Sequence, residues 1–371
     1  MKLMAAPRFV DIDIISKCNL KCLYCAHFTS AGDVESDLPT DAWLNFFEEL
    51  GRCAVMIASL GGGEPFLRKD LKELLLGIVK NRMRFAILSN GTLITEEIAA
   101  FIKATGRCNY VQVSIDGSGP LAHEVYRGEG NFERTMNGLR VLQKYGVPVT
   151  ARVTIHRHNV HDLEGIARLL LEDTGLPSFS TNAASYMGLC RQNTEEVQLT
   201  VDERTLAMET LLKLGKKYNG RITANAGPLA EARMWTEMER ARREGKESLP
   251  GRGYLRSCGG VFSKIAVRAD GVIVPCIQMG HIDLGQVEED NLRDVWQNHA
   301  ALNCLRQRQG IHLGDFEFCA GCVYIPFCSG NCPALAYNLL GKENHPSPDA
   351  CLRRFLAEGG RLPMEQALAL L

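Results

Sequence analysis

The groups in this chain best suited to chemistry are its thiols. Fourteen cysteines occur in 371 residues, and they are bunched rather than scattered. The tightest group is Cys18, Cys22 and Cys25, a C-x3-C-x2-C triplet in the run SKCNLKCLYCAHF. A second set runs through Cys258, Cys276, Cys319, Cys322, Cys328, Cys332 and Cys351. In a secreted chain such a count would mean a disulfide framework. The N-terminus, however, lacks the long apolar run and small-residue cleavage site of a signal peptide. In a reducing compartment, spacings of three and four residues favour metal ligation, so the expectation is a cytoplasmic protein with ligating thiols. Three thiolates can hold three irons of a cubane and leave the fourth open, much as catalytic metal sites keep a free position. A zinc site is the competing reading, although zinc ribbons use paired C-x2-C units rather than this triplet.

Other polar motifs follow. In Gly61-Gly62-Gly63-Glu64-Pro65 the glycines let backbone carbonyls approach a ligand, and Glu64 can pair with an ammonium. Alone, the run would be a strand-ending turn. Ser89-Asn90-Gly91-Thr92 and Ser114-Ile115-Asp116-Gly117 are polar strand ends that also read as plain turn chemistry. Arg152 can meet a carboxylate bidentately. His156, His158 and His161 read as a wet surface loop, since no carboxylate or cysteine is spaced to complete a metal site. Cys53 and Cys108 read as buried small hydrophobes.

The elements that must position these groups alternate. Apolar, β-branched runs at 8–15, 53–60, 84–89, 110–115, 148–155 and 177–183 suit buried parallel strands. Helical patterns lie between them at 40–51, 67–81, 94–106, 131–146 and 162–174. Such βα alternation implies an α/β fold with a parallel sheet and outer helices, and six units imply a partial (β/α)6 TIM-like barrel. The triplet then falls in the first βα loop, at the carboxyl end of the sheet where barrel active sites form. After residue 184 the pattern changes: 200–246 looks helical and charged, while 251–352 is rich in Gly and Cys with short strands at 265–268 and 272–275. A thin core of that kind needs staples, which cysteine-bound metal supplies. The expected division is a barrel over 1–200, a helical bridge over 201–250, and a small Cys-rich α+β domain with a C-terminal tail over 251–371. The formal net charge of −1 gives no footprint for nucleic acid. No apolar stretch reaches the roughly 18 residues of a membrane span.

Taken in order, the motifs resemble those of the radical S-adenosylmethionine (SAM) superfamily. The triplet, with aromatic Tyr24 before its third cysteine, is similar to the superfamily signature, which implies Tyr24 among the cofactor-binding residues, and Gly62-Gly63-Glu64 looks like the motif that holds the SAM amino group. Ser114 and Arg152 resemble polar strand positions that contact SAM. The seven later cysteines look like a SPASM domain, which carries two auxiliary 4Fe–4S clusters. The resemblance covers about residues 8 to 355 and implies three 4Fe–4S clusters in all. Carried across by position, Cys319, Cys322, Cys328 and Cys351 bind the outer auxiliary cluster, and Cys258, Cys276 and Cys332 the inner one. The inner cluster is then one ligand short: some relatives have a further cysteine six residues after the first, where this chain has Lys264. Cys304, Cys190, a substrate atom or solvent are the candidates for the vacancy.

The implied activity is reductive cleavage of SAM to a 5′-deoxyadenosyl radical that takes a hydrogen atom from a substrate. SPASM relatives mostly modify peptides by cross-linking, thioether formation, oxidation, decarboxylation or epimerisation, so a ribosomally made peptide is the leading substrate. A small molecule in cofactor or antibiotic biosynthesis is the alternative, and a non-catalytic electron carrier the third reading. Sulfatase-maturing relatives place an aspartate directly after the position of Cys276; Ile277 stands there instead, which argues against that activity. The barrel starts almost at residue 8, so a peptide leader would be bound by a separate protein or not needed. A flavodoxin or ferredoxin is the expected reductant. For the group that quenches the substrate radical, Cys190, Tyr186 and Asp283 are candidates, with Cys190 first as a thiol hydrogen donor.

Overall fold

Alternation in Phe9–Ile15 (β1) separates two faces of a strand. Val10, Ile12 and Ile14 are buried on one side, while Asp11 and Asp13 fall on the other. The same division repeats in Ile57–Gly62 (β2), Arg84–Ser89 (β3), Cys108–Ser114 (β4), Val149–Ile155 (β5) and Phe179–Ala183 (β6). The apolar face packs under Thr40–Arg52 (α1), Leu71–Lys80 (α2), Glu96–Ala104 (α3), Asn131–Lys144 (α5) and Leu163–Arg168 (α6), whereas Pro120–Arg127 (α4) leaves Leu121 and Val125 exposed and packs Tyr126 against Tyr24. Trp43, Phe46, Phe47 and Leu50 of α1 are almost fully buried there, each contributing about 1.5–3 kcal/mol by leaving water. The opposite face carries Ser59, Gln112, Ser114, Arg152, Thr154 and Ser180, none of them fully buried. A closed eight-stranded barrel fills its interior with apolar layers; this sheet keeps a polar, accessible concave face.

The structure is a computed structural model and describes residues 3–27, 36–256 and 259–363. Its sheet runs in the order β10-β9-β8-β1-β2-β3-β4-β5-β6-β7, where Ile222–Ala224 is β7, Lys264–Val267 β8, Val272–Val274 β9 and Gly285–Gln286 β10. β1 to β7 are all parallel, and β8 pairs parallel with β1 through Phe9↔Lys264 and Ile12↔Val267. The Cys-rich region therefore extends the barrel's own sheet, and Lys264 enters on the concave side beside β1. No helix among the described residues is long and apolar enough to cross a membrane.

Three expectations shift. The second strand begins at Ile57 rather than 53, because α1 runs on to Arg52 and Ala54 turns the chain at φ 57°. Cys53 is thus the half-buried cap of α1, whereas Cys108 on β4 is buried. The charged stretch 200–246 holds, besides Val201–Lys217 and Pro228–Arg243, the seventh parallel strand β7. His156 is buried directly after β5, while His158 and His161 are exposed as a surface loop would have them.

Candidate functional site

The loop after β1 carries the first three cysteines, and β2 holds it from beneath. Gly63 N–H donates to Ile15 O (2.8 Å) and Glu64 N–H to Lys17 O (2.9 Å). A Cβ on Gly63 would lie 2.0 Å from the Lys17 carbonyl oxygen, and one on Gly62, at φ 100°, would lie 2.4 Å from that of Ile15. Glycine is required because two backbones touch here. The Glu64 side chain is 1 % exposed and accepts from Ser89 Oγ (2.9 Å), Asn90 N–H (2.8 Å) and Phe66 N–H (3.2 Å). Burial pushes its carboxyl up, and these donors oppose the shift without cancelling it. Asn90 Nδ2 in turn reaches Asn19 Oδ1 (2.9 Å) and Cys18 Sγ (3.8 Å), and Asn19 Nδ2 reaches Thr92 (2.9 Å). The Ser89-Asn90-Gly91-Thr92 run does more than turn the chain: it ties the cysteine loop to β3.

Cys18, Cys22 and Cys25 are partly buried, free of disulfides and close enough to act on one another electrostatically. Burial pushes the Cys22 thiol up to about 12 against the pull of Arg127. Leu20 N–H donates to Cys18 Sγ (3.4 Å). Among the described residues, no three His, Cys, Asp or Glu side chains converge as a single metal ion requires.

On the concave face, Ser114 and Arg152 are register partners across β4 and β5. Arg152 Nε donates to Gln112 Oε1 (3.3 Å), and burial lowers its pKa. Tyr24 lies elsewhere. Its ring is walled in behind the loop by His156 (centroids 5.5 Å), Tyr126 (6.0 Å) and the Arg127 guanidinium (5.5 Å), and its hydroxyl donates to Asp116.

That pocket contains groups the sequence did not single out. Asp116 is fully buried and accepts from Arg127 Nε (2.6 Å) and Thr154 N–H (2.7 Å). Burial would raise its pKa, but Arg127 holds it below the usual carboxylate range. His123 Nδ1 accepts from Asp116 N–H (3.2 Å), and Asn159 Nδ2 donates to Asp116 O (2.9 Å). Burial pushes His123 and His156 each down to about 4, so both are neutral at pH 7. Nothing in the spacing announces this group, since an Asp-Gly pair reads as a turn and an arginine on a helix as solvated.

Cys190 sits in the short helix Leu189–Gln192, fully buried against Cys22, Leu23, Tyr24 and Tyr126. Its sulfur accepts from Gln198 Nε2 (3.2 Å), and burial pushes its thiol up to about 11. Leu189 N–H donates to Cys25 O (2.9 Å) and Asn193 Nδ2 to Leu23 O (3.3 Å). The segment straps down the cysteine loop from outside. Tyr186 lines a separate cavity beside Arg204 and Asp349, and Asp283 is exposed, accepting from Gly285 N–H (2.8 Å).

In the C-terminal region, Cys319, Cys322, Cys328 and Cys351 gather around a space of about 30 Å³. Burial and the neighbouring thiols push Cys319 up to about 12. Gly330 N–H donates to Cys328 Sγ (3.4 Å). Cys276 lies near Lys264, whose ammonium pairs with Asp11 of β1 (2.9 Å). Cys332 is exposed and lines a cavity of about 410 Å³ with Asn182, Gln198, Asn225 and Asn331. Cys258 lies outside the described residues. Cys304 is exposed, accepting from Asn344 Nδ2 (3.8 Å). A second cavity, of about 400 Å³, is walled by Ala26 and His27 on one side and Ile277 and Gln278 on the other, with Asp13 at its base. His27 Nδ1 lies 3.2 Å from Asp13. Met187 borders both cavities.

Comparison with known proteins fits this arrangement. The model of the radical SAM superfamily matches residues 12–170, and that of SPASM, an iron–sulfur cluster-binding domain, residues 258–323. The chain is 28% identical over 350 residues to an AdoMet-dependent heme synthase of Methanosarcina barkeri, spanning 92% of this chain and 96% of the relative. It is 26% identical over 362 residues to a PqqA peptide cyclase of Ruegeria pomeroyi, spanning 92% and 87%. Streptococcus suis SuiB bound to precursor peptide SuiA superposes with a TM-score of 0.69 at 15% identity, over 94% of this chain and 77% of that one. Native anSMEcpe with bound AdoMet superposes with 0.68, over 98% of each chain. At such identities these two likenesses show a shared fold.

Proposed function

We propose that this chain, which belongs to the radical SAM superfamily and carries a SPASM domain, is a radical SAM enzyme that modifies a peptide. Cys18, Cys22 and Cys25 would hold the SAM-binding 4Fe–4S cluster, with Gly62, Gly63, Glu64, Ser114 and Arg152 around SAM. When bound, that cluster supplies the electron that splits SAM into methionine and a hydrogen-abstracting 5′-deoxyadenosyl radical. Cys319, Cys322, Cys328 and Cys351 would hold the outer auxiliary cluster, and Cys258, Cys276 and Cys332 the inner one. The chain's own task is to seat the substrate between these thiol groups and keep water from the radical.

The observation that carries this reading is the cavity of about 400 Å³ bounded by residues directly after Cys25 and directly after Cys276. A substrate there reaches both cysteine regions at once. The adjoining cavity of about 410 Å³ supports a peptide, because Asn182, Gln198, Asn225 and Asn331 offer carboxamides that donate and accept as peptide groups do. Asn182 Oδ1 is buried without a hydrogen-bond partner. A PqqA peptide cyclase among the relatives and a peptide-bound fold neighbour point the same way. A flavodoxin or ferredoxin would be the reductant.

A second reading has its own support: relatives at 28% identity are an AdoMet-dependent heme synthase and an Fe-coproporphyrin III synthase. Anaerobic incubation with SAM and dithionite tests the enzyme reading through 5′-deoxyadenosine, whose absence would sink it. Adding candidate peptides in one arm and Fe-coproporphyrin III in another separates the substrates. We expect an altered peptide, read by mass and by chiral amino-acid analysis. A changed tetrapyrrole with the peptides unchanged would replace the first reading with the second.

A further inference from the structure

Behind the first cysteine loop lies a buried ion pair to which the chemistry above gives no task. Asp116 is 0% exposed and Arg127 8%, joined at 2.6 Å. Burying two charges is expensive, and well-packed apolar residues often serve stability equally well. The pair comes from different elements: Asp116 follows β4, and Arg127 ends α4. Its geometry is fully determined. The Tyr24 hydroxyl donates to the same Asp116 oxygen as Arg127 Nε, Thr154 N–H fills the other oxygen, and the guanidinium stands 5.5 Å from the Tyr24 ring.

The direction of the pair matters because of what lies in front of it. Cys22 and Cys25 flank Tyr24 in the chain, so whatever anchors Tyr24 anchors both thiols. The Arg127 guanidinium stands 5.5 Å from the ring of Tyr24, the residue between Cys22 and Cys25. The neighbouring histidines, His123 and His156, are neutral at pH 7. Arg127 is therefore the cation of this pocket. In a region of low dielectric its field is poorly screened.

We infer that Arg127, oriented by Asp116 and Tyr24, is a positioning residue for the first cluster: its guanidinium behind Cys22 makes that cluster easier to reduce. The inference rests on the reading that Cys18, Cys22 and Cys25 hold a 4Fe–4S cluster. Net charge and hydrogen bonding around the sulfurs are the levers that set such potentials. Arg127 supplies the charge, Asp116 keeps it in place, and the Tyr24 hydroxyl ties the loop to both.

The test is a redox titration of the reconstituted holoprotein followed by EPR, with the first cluster identified by its response to added SAM. The double variant Asp116→Asn, Arg127→Gln removes both charges with little change of volume and leaves neither unpaired. Tyr24→Phe removes only the hydroxyl. With iron content at the parent level, the double variant should show about a tenfold lower ratio of reduced to oxidised first cluster at a fixed potential, a midpoint lower by roughly 59 mV. Tyr24→Phe should shift the midpoint less, in the same direction. Midpoints equal to the parent's in both variants would leave the ion pair a scaffold and overturn the inference. Should the double variant fail to take up iron, Tyr24→Phe decides alone, and an unshifted midpoint overturns it. A parent protein with no SAM-responsive signal would instead overturn the reading on which the inference rests.

Discussion

The two cysteine regions are framed by elements of different kinds. The first loop is held by the protein. Gly63 and Glu64 clamp its backbone, Asn90 ties Cys18 to β3, the strap around Cys190 closes over Cys25, and a buried ion pair stands behind Cys22. The outer C-terminal set sits on short turns tied to neighbouring loops: Gly253 N–H donates to Cys328 O (2.9 Å), Leu249 N–H to Pro326 O (3.2 Å) and Arg353 Nη1 to Ala320 O (2.8 Å). Glu317–Cys319 and Ile325–Phe327 are single 3-10 turns, and Leu352–Ala357 is a six-residue helix. The groups that most perturb Cys319, after burial, are the thiols of Cys328, Cys322 and Cys351. A catalytic site that must leave one position open needs a frame that persists without the ligand. A site with four thiols can let the metal be the frame.

The largest effect follows from that contrast. Cys328→Ser should remove about one cluster's worth of iron and abolish hydrogen-exchange protection between Phe316 and Cys351, while β1 to β6 stay protected. The loss should be on the order of the ~10 kcal/mol that a structural metal site supplies. Iron chelation of the parent should do the same to both cysteine regions' iron but unfold only the C-terminal one. If the Phe316–Cys351 segment keeps its protection without iron, the contrast between the two regions is gone.

How much of this the sequence disclosed depends on whether chemistry or packing set the signal. Ligand spacing is local, so Cys18, Cys22 and Cys25, and the four outer cysteines, could be grouped by eye, and the structure draws each group together. Apolar β-branched runs are local too, so 8–15 announced β1, but as a buried strand; the accessible side that carries Asp11 emerges only when the sheet forms. β7 was hidden because Ile222–Ala224 is three residues long between charged helices, and only its parallel pairing with β6 makes it a strand. Asp116 and Arg127 were hidden because eleven residues and a helix separate them, and burial alone turns a turn residue and a helix charge into a pair. His156 was grouped with His158 and His161 by nearness in sequence, yet it packs inward after β5 between Tyr24 and Tyr126.

A smaller effect probes the clamp. Gly63→Ala places a methyl carbon 2.0 Å from the Lys17 carbonyl oxygen, and neither backbone is free to move. Relief should cost about 1–3 kcal/mol and displace the loop. The first cluster should load poorly and 5′-deoxyadenosine formation should fall at least tenfold, while the iron of the C-terminal region stays at the parent level. Normal loading of the first cluster would show that the loop is framed by its ligand after all, as the outer set is.

The smallest effect concerns Cys190, where a structural role and a chemical one make different demands. A thiol that quenches a substrate radical must reach it. The Cys190 sulfur is fully buried, accepts from Gln198 and packs on Cys22, Leu23 and Tyr24. Burial keeps the group an S–H, as a hydrogen donor also must be, so access decides between the two roles. Cys190→Ala trims one sulfur from a packed wall and should cost about 1–2 kcal/mol of stability, read as a lower midpoint in urea. Product yield and deuterium incorporation from deuterated water should match the parent. A variant that still makes 5′-deoxyadenosine but loses the final hydrogen would move Cys190 from the strap to the chemistry. It would also show that the first loop opens during turnover, which is the freedom that its frame is built to deny.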